Sequence, residues 1–237
     1  MIRLTRNIEH NITTKNSFAV VIVNNKITKL KNSEAKCVTL NKDIIELTTN
    51  KGQIKINNID GLFSEGEILL IFPEVSKCQR FFRPDATINT ILLTEECDQL
   101  CIMCSQPPKN KRYDHFDLYL KGVLLLPKNA RLGISGGEPT LLKNNLFDFL
   151  EKVYLLRDDI TFNILSNCQH FDKNDIKILS KISHKILWGI PLYSNIPEKH
   201  DAIVGKKGSF NNVIRNFNHL VESGSRVELR TVLMKQN

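Results

Sequence analysis

The stretch INTILLTEECDQLCIMC, residues 88–104, joins a run of apolar and β-branched residues to three closely spaced cysteines. Residues 88–94 have the composition of a buried strand, and Cys97, Cys101 and Cys104 follow it within one predicted loop. Three soft ligands on one loop suit either zinc or an iron–sulfur cluster. A structural zinc ion normally takes four ligands, so the spacing predicts a metal centre and leaves its kind open.

From residue 88 onward, predicted strands alternate with predicted helices. Four further strands are predicted at residues 131–135, 160–166, 185–193 and 226–234. Helical patterns lie between them at residues 114–126, 146–157, 173–182 and 210–224. This alternation predicts right-handed βα units and an α/β fold with a parallel sheet. A closed eight-stranded barrel needs about 250 residues, so five strands predict a partial (βα) barrel of the TIM type at most.

The preceding residues have a different pattern. Short segments rich in β-branched residues at 17–23, 36–40, 43–49, 52–56 and 67–73 predict strands at close spacing. Such spacing is typical of a small antiparallel barrel or sheet. We therefore expect two domains, a β-rich N-terminal domain at 1–86 and an α/β core at 87–237.

A second motif follows the strand at 131–135. It reads ISGGEP and contains Gly136, Gly137, Glu138 and Pro139. Paired glycines let a backbone approach a ligand closely, and a carboxylate beside them can receive an ammonium group. An ordinary Gly-Gly turn, with proline starting a helix, is the alternative. In βα folds the chemistry lies on loops at the carboxyl ends of strands, and two such motifs on successive strand ends favour a binding site.

C-x3-C-x2-C followed by G-G-E-P resembles the signature of the radical S-adenosylmethionine (radical SAM) enzymes, and the resemblance covers residues 88–237. It implies that the three cysteines ligate a [4Fe–4S] cluster whose open iron chelates SAM, with residues 136–138 holding the SAM amino group. Reductive cleavage of SAM would then give methionine and a 5′-deoxyadenosyl radical. In the LSNC turn, the resemblance places Ser166 and Asn167 near SAM. Cys168 replaces the usual glycine there, and we expect a buried spectator thiol.

The flanking residues resemble the His-Xaa-Ser system radical SAM maturases of the HxsC type. The matching segments are RFFRPDATINTILLTEECDQLCIMCSQPPK and GIPLYS, the latter followed by His200 and Asp201. This resemblance implies a ribosomally made precursor peptide with His-Xaa-Ser repeats as substrate. It also implies a second radical SAM maturase and an electron donor such as flavodoxin or ferredoxin as partners. The usual core has six βα units, so the resemblance implies a core truncated at its C-terminus.

Two alternatives stay open. One is a radical SAM enzyme that acts on another substrate, and the other is a zinc-stabilised or truncated, non-catalytic binding protein. The sequence assigns no residue to hydrogen abstraction from a substrate.

Composition limits the kinds of partner and the cell compartment that we expect. The net charge is +8, but the lysines are scattered and aromatic residues make up only 7%, so we expect no nucleic-acid partner. No apolar run approaches the roughly 20 residues that span a bilayer, and the polar N-terminus lacks a signal core, so we expect no membrane association and a cytoplasmic location. We also expect Cys37 and Cys78 to be buried bystanders in the N-terminal strands and Trp188 to lie in the core.

Overall fold

The structure is a computed structural model that describes residues 5–23, 33–40, 44–57, 63–113 and 115–237. The chain divides into two compact units. The first comprises Met1–Asn89 and Asp117–Pro127, and the second comprises Thr90–Phe116 and Lys128–Asn237. Asp43 and Asp114, which were predicted to begin a strand and a helix, lie outside the described residues. Within the described ranges, no helix is long and apolar enough to cross a membrane.

The first unit is a closed barrel with the strand order β1-β5-β4-β3-β2-β6-β7. The strands are β1 (Thr5–His10), β2 (Phe18–Val23), β3 (Glu34–Leu40), β4 (Ile44–Thr49), β5 (Gly52–Asn57), β6 (Ile68–Phe72) and β7 (Lys77–Phe82). Neighbouring strands pair antiparallel, except β2 and β3, which are parallel. Alternate residues of β4 and β5, such as Leu47 and Ile54, point into the barrel and are buried.

Five of these strands were predicted, and β1 and β7 were not. The sequence of β1, TRNIEH, has a single apolar residue, Ile8, and β7, KCQRFF, buries Gln79 as well as its aromatic rings. The two strands pair with each other and join β5 to β6, so they complete the closure of the barrel. Helix α1 (Phe116–Leu124) adds to this unit, where the Tyr119 ring stacks on Phe81 with centroids 6.1 Å apart.

The second unit contains a five-stranded sheet with the order β12-β11-β10-β9-β8. Its strands are β8 (Asn89–Leu92), β9 (Arg131–Ser135), β10 (Thr161–Leu165), β11 (Ile186–Pro191) and β12 (Arg226–Arg230). Strands β9 to β12 pair in parallel, as the alternating pattern predicted. The helices are α2 (Lys143–Leu156), α3 (Lys173–Ile182), α4 (Pro197–Val204) and α5 (Ser209–Glu222). The α/β prediction is confirmed by this alternation of strands and helices.

Helix α4 was not predicted. It has eight residues, begins at Pro197 and is capped after Val204 by Gly205, which adopts the left-handed conformation with φ 65°. Its buried residues are His200, Ile203 and Val204, so one polar residue interrupts the apolar face. Asp201 on this helix accepts hydrogen bonds from the backbone N–H groups of Gly208 and Phe210 and thereby holds the start of α5.

The sheet core is apolar, and it contains the residues expected there. Trp188 on β11 is fully buried and packs edge-on against Phe171, with ring centroids 5.0 Å apart. Cys168 is also buried, as predicted. In the barrel, Cys78 is buried as predicted, whereas Cys37 is only half-buried. Because the paired strands of the sheet run parallel, the loops after their carboxyl ends meet at one edge.

Candidate functional site

Loops after all five strands line one cavity of about 770 Å³ at the carboxyl edge of the sheet. Seven of the nine residues predicted as site residues lie on its wall: Cys97, Cys101, Cys104, Gly136, Gly137, Ser166 and Asn167. Glu138 and Pro139 are buried behind the wall. The fold therefore brings the two sequence motifs and the β10 turn together around one space.

Residues 97–104, here called the cysteine loop, present three free thiols to this cavity. Burial raises the pKa of the Cys97 thiol to about 11 and also raises the pKa of Cys101, where Cys104 adds to the effect. The Cys101 thiol donates to Gln99 Oε1 at 3.7 Å, and the Cys104 thiol donates to the Gln106 carbonyl at 3.0 Å. Since burial disfavours the thiolate form, a cationic centre would be needed to hold the two half-buried sulfurs as thiolates.

The thiols line a common wall without converging on one point. Among the residues that the structure describes, no three His, Cys, Asp or Glu side chains stand in the arrangement of a metal-ion site. The cavity also offers apolar surface beside the loop, from Met103, Leu165, Leu229 and Val232. The wall therefore combines soft sulfur donors with surface on which an organic group can pack.

The glycine pair packs on the residues just before the cysteine loop. Gly137 N donates to the Thr94 carbonyl at 2.8 Å, and Glu138 N donates to the Glu96 carbonyl at 2.7 Å. A Cβ atom on Gly137 would lie 2.0 Å from Glu96 O, and one on Gly136 would lie 2.4 Å from Thr94 O. The glycines thus permit two neighbouring loops to approach each other, in addition to exposing backbone to the cavity.

Replacing Gly137 by alanine is therefore expected to lower the free energy of unfolding by roughly 1–3 kcal/mol, because the added methyl group forces the two backbones apart. Urea denaturation of the cofactor-free protein measures this change. Ser135→Ala, which removes an atom at the end of β9 just before this turn instead of adding one, is the matched control. An unfolding midpoint for Gly137→Ala equal to that of Ser135→Ala would contradict the close packing.

Glu138 is a fully buried carboxylate whose two oxygens are occupied by the protein itself. Its Oε1 accepts from Thr140 N at 2.8 Å, from Thr140 Oγ1 at 2.5 Å and from Ser166 Oγ at 2.8 Å. Its Oε2 accepts from Asn167 N at 2.5 Å. Burial raises the pKa of this carboxyl, and the hydrogen bonds oppose that rise. The side chain joins the turn after β9 to the turn after β10 and does not reach the cavity surface.

The turn after β10 is also joined to the cysteine loop. Asn167 Nδ2 donates to Asp98 Oδ1 at 2.7 Å and lies 4.0 Å from Cys97 Sγ. Asp98 also pairs with Lys206 and lies 3.2 Å from His170 Nε2. Although burial opposes it, hydrogen bonds from these neighbours lower the pKa of Asp98 well below its ordinary value. Hydrogen bonds therefore link the cysteine loop, the turn after β9 and the turn after β10.

Several lining residues at the carboxyl ends of β11 and β12 were not predicted. Tyr193 stacks on His200 with ring centroids 5.9 Å apart, and burial together with Cys101 and Cys104 raises the pKa of Tyr193 to about 12. Arg230 is the charged residue among the described lining residues, and its Nε donates to Glu228 at 2.7 Å. The position of both residues at strand ends is the signal that could have identified them.

His200, by contrast, contributes to packing. Its ring is fully buried, its Nδ1 accepts from Tyr193 N at 3.3 Å, and burial lowers its pKa. His200 packs against Tyr193 on the side away from solvent, and Asp201 holds the start of α5. Both side chains of the His200–Asp201 pair therefore serve the local structure.

The chain is similar to two proteins over part of their length. The chain is similar to Fe-coproporphyrin III synthase of Methanosarcina barkeri (strain Fusaro / DSM 804), with 28% identity over 151 residues that cover 61% of this chain and 36% of that protein. It is also similar to a solved structure of native anSMEcpe with bound AdoMet and Cp18Cys peptide, with 18% identity, a TM-score of 0.50, and coverage of 60% of this chain and 41% of that one. The structural likeness concerns the fold alone, and this chain spans less than half the length of either protein.

The match to a protein family covers the whole cavity wall. The family model of the radical SAM superfamily matches residues 91–237, which is more than half of the chain and includes the cysteine loop, the glycine pair and the β10 turn. The sequence motifs, the shared cavity and this match agree, and the chain belongs to the radical SAM superfamily.

Proposed function

We propose that this chain is the core of an enzyme that binds a [4Fe–4S] cluster through Cys97, Cys101 and Cys104 and cleaves SAM reductively. The observation that carries the proposal is the cavity that the three thiols, the glycine pair and the β10 turn line together. Enzymes of the radical SAM superfamily use a [4Fe–4S] cluster and SAM. When bound, these two groups supply one-electron chemistry that yields a 5′-deoxyadenosyl radical.

The residues present fit these groups. Three thiolates are one fewer than the usual four for such a cluster, so one coordination position would be left for SAM. Backbone at Gly136 and Gly137 faces the cavity and would receive the SAM amino group, while Glu138 orients this turn from behind. The partial (βα) barrel is the form that we propose for the core as a whole, with the five-stranded sheet as its wall.

The chain's own side chains would bind and orient the cofactors, and they would exclude water from the cavity. Met103, Leu165, Leu229 and Val232 provide apolar surface that would keep water from a reactive radical. Arg230 offers the cavity a guanidinium that is only partly neutralised by Glu228, since both side chains are exposed to solvent. The protein contributes position and shielding, and the difficult chemistry belongs to the cofactors.

For the substrate, we propose a ribosomally made peptide with His-Xaa-Ser repeats, processed in the cytoplasm together with a second radical SAM maturase and a flavodoxin or ferredoxin as electron donor. The segments around the cysteine loop and the GIPLYS segment at the end of β11 support this assignment. Action on another substrate is the alternative that the similarity to Fe-coproporphyrin III synthase favours. A mass change in a His-Xaa-Ser peptide incubated with the reduced, SAM-loaded protein would distinguish the two.

Anaerobic reconstitution tests the proposed chemistry directly. The protein is loaded with iron and sulfide, both are quantified, and the sample is reduced with SAM present and assayed for 5′-deoxyadenosine. We expect about four iron and four sulfide per chain and release of 5′-deoxyadenosine. One zinc per chain with no iron–sulfur centre would support the binding-protein alternative. A bound cluster without 5′-deoxyadenosine would indicate a non-catalytic relative.

A further inference from the structure

The cysteine loop is held by a segment that lies about a hundred residues later in the sequence. This segment, residues 203–209, comprises the end of α4, the turn after it and the first residue of α5, and is called here the α4–α5 connection. Leu100 N donates to the Val204 carbonyl at 2.9 Å, and Ile102 N donates to the Ile203 carbonyl at 3.0 Å. Gly205 makes this approach possible, because a Cβ atom there would lie 3.0 Å from Leu100 O.

A buried side-chain pair strengthens the same contact. Gln99 is only 3% exposed and Ser209 is fully buried. Gln99 Nε2 donates to Ser209 Oγ at 2.8 Å, and the other end of the same amide, Oε1, accepts from the Cys101 thiol at 3.7 Å. Gln99 therefore connects the α4–α5 connection to the sulfur of the middle cysteine.

The donor and acceptor inventory of these groups determines what Gln99 can do for a cluster. A cysteine that ligates iron has no S–H and can only accept a hydrogen bond. A carboxamide offers either its oxygen or its NH₂ group, and a serine hydroxyl donates or accepts equally well. Ser209 can thus bond to either end of the amide. When its hydroxyl donates to the amide oxygen, the NH₂ group of Gln99 is free to face the Cys101 sulfur.

We propose that Gln99, fixed by Ser209, is a positioning residue of the cysteine loop and supplies an N–H donor to the Cys101 sulfur when that sulfur ligates the cluster. Only the N–H donor role rests on the proposed function; the positioning role does not. Hydrogen bonds to cluster sulfurs are among the factors that set the reduction potential of such centres. Gln99 would thereby raise the potential and ease the electron transfer into the cluster.

The first test uses the cofactor-free protein and hydrogen exchange of the Leu100 and Ile102 amides. Ser209→Ala leaves buried Gln99 without its hydroxyl partner, and we expect both amides to exchange about tenfold faster, the size of effect that a lost buried partner produces. Ser223→Ala is the matched control, because it removes a buried hydroxyl from the opposite end of α5, where Ser223 Oγ donates to the Leu220 carbonyl. Equal exchange of the two amides in wild type and Ser209→Ala would overturn the positioning role.

The second test uses the reconstituted protein. We expect Gln99→Leu and Ser209→Ala to hold a cluster with a more negative midpoint potential and an altered electron paramagnetic resonance signal, and we expect Ser223→Ala to match the wild type. The same potential and signal in all four proteins would overturn the N–H donor role. If the wild type takes up no cluster, the proposed function fails and the donor role fails with it, while the exchange experiment still decides the positioning role.

Discussion

The Cys101→Ala variant is expected to take up no [4Fe–4S] cluster and to release no 5′-deoxyadenosine when it is reduced in the presence of SAM. Cys101 is the middle of the three cavity thiols, and its loss leaves two cysteines with six residues between them. Two protein ligands would leave two irons of the cluster without protein sulfur. Alanine is chosen because a serine hydroxyl at this position could still serve as an oxygen ligand.

Iron, sulfide and 5′-deoxyadenosine per chain measure the effect, and Cys168→Ala provides the control. Cys168 is fully buried among the same strand ends, and burial raises its pKa, so it is a cysteine of the same unit without access to the cavity. We expect Cys168→Ala to retain the cluster. Wild-type iron and sulfide content in Cys101→Ala would remove Cys101 from the ligand set and contradict the proposed site.

The fold was predictable where local periodicity matches the role of a segment. Strands β9 and β10 have buried apolar residues such as Ile134 and Ile164, and all five strands of the sheet were predicted. Strand β1 was missed because it has one apolar residue, and its place in the barrel depends on pairing with β5 and β7. Barrel closure is a long-range property that a six-residue window does not contain.

The candidate site, like the fold, was predictable only where its residues are contiguous in the sequence. The cysteine loop and the glycine pair are contiguous motifs, and their position after strands predicted that they would meet. The partners of these motifs were not predictable, because they come from distant parts of the chain. Ser209 lies 110 residues from Gln99, and the donors to Glu138 include a backbone N–H 29 residues away. A pattern reveals which residue types are present, and only the fold reveals which donor faces which acceptor.

Glu138 illustrates the consequence, and replacing it with glutamine is expected to destabilise the protein before any cofactor is added. The carboxylate accepts from two backbone N–H groups, those of Thr140 and Asn167, on different oxygens. A glutamine amide has one oxygen, so one of these buried N–H groups must face an NH₂ group. An unsatisfied buried donor costs roughly 1–3 kcal/mol, and we expect Glu138→Gln to lower the free energy of unfolding by about that amount.

The measurement is urea denaturation of the cofactor-free protein, with Glu96→Gln as the control. Glu96 pairs with the exposed Arg112 at 2.6 Å near the same turn, and an exposed pair of this kind contributes only about 0–1 kcal/mol. If Glu138 instead acted mainly as the partner of the SAM ammonium group, Glu138→Gln would weaken SAM binding and leave the cofactor-free protein as stable as the control. A loss of stability without SAM would mean that the carboxylate builds the site from behind, by holding the Ser166–Asn167 turn against the glycine pair, and that weaker SAM binding follows from the disturbed turn.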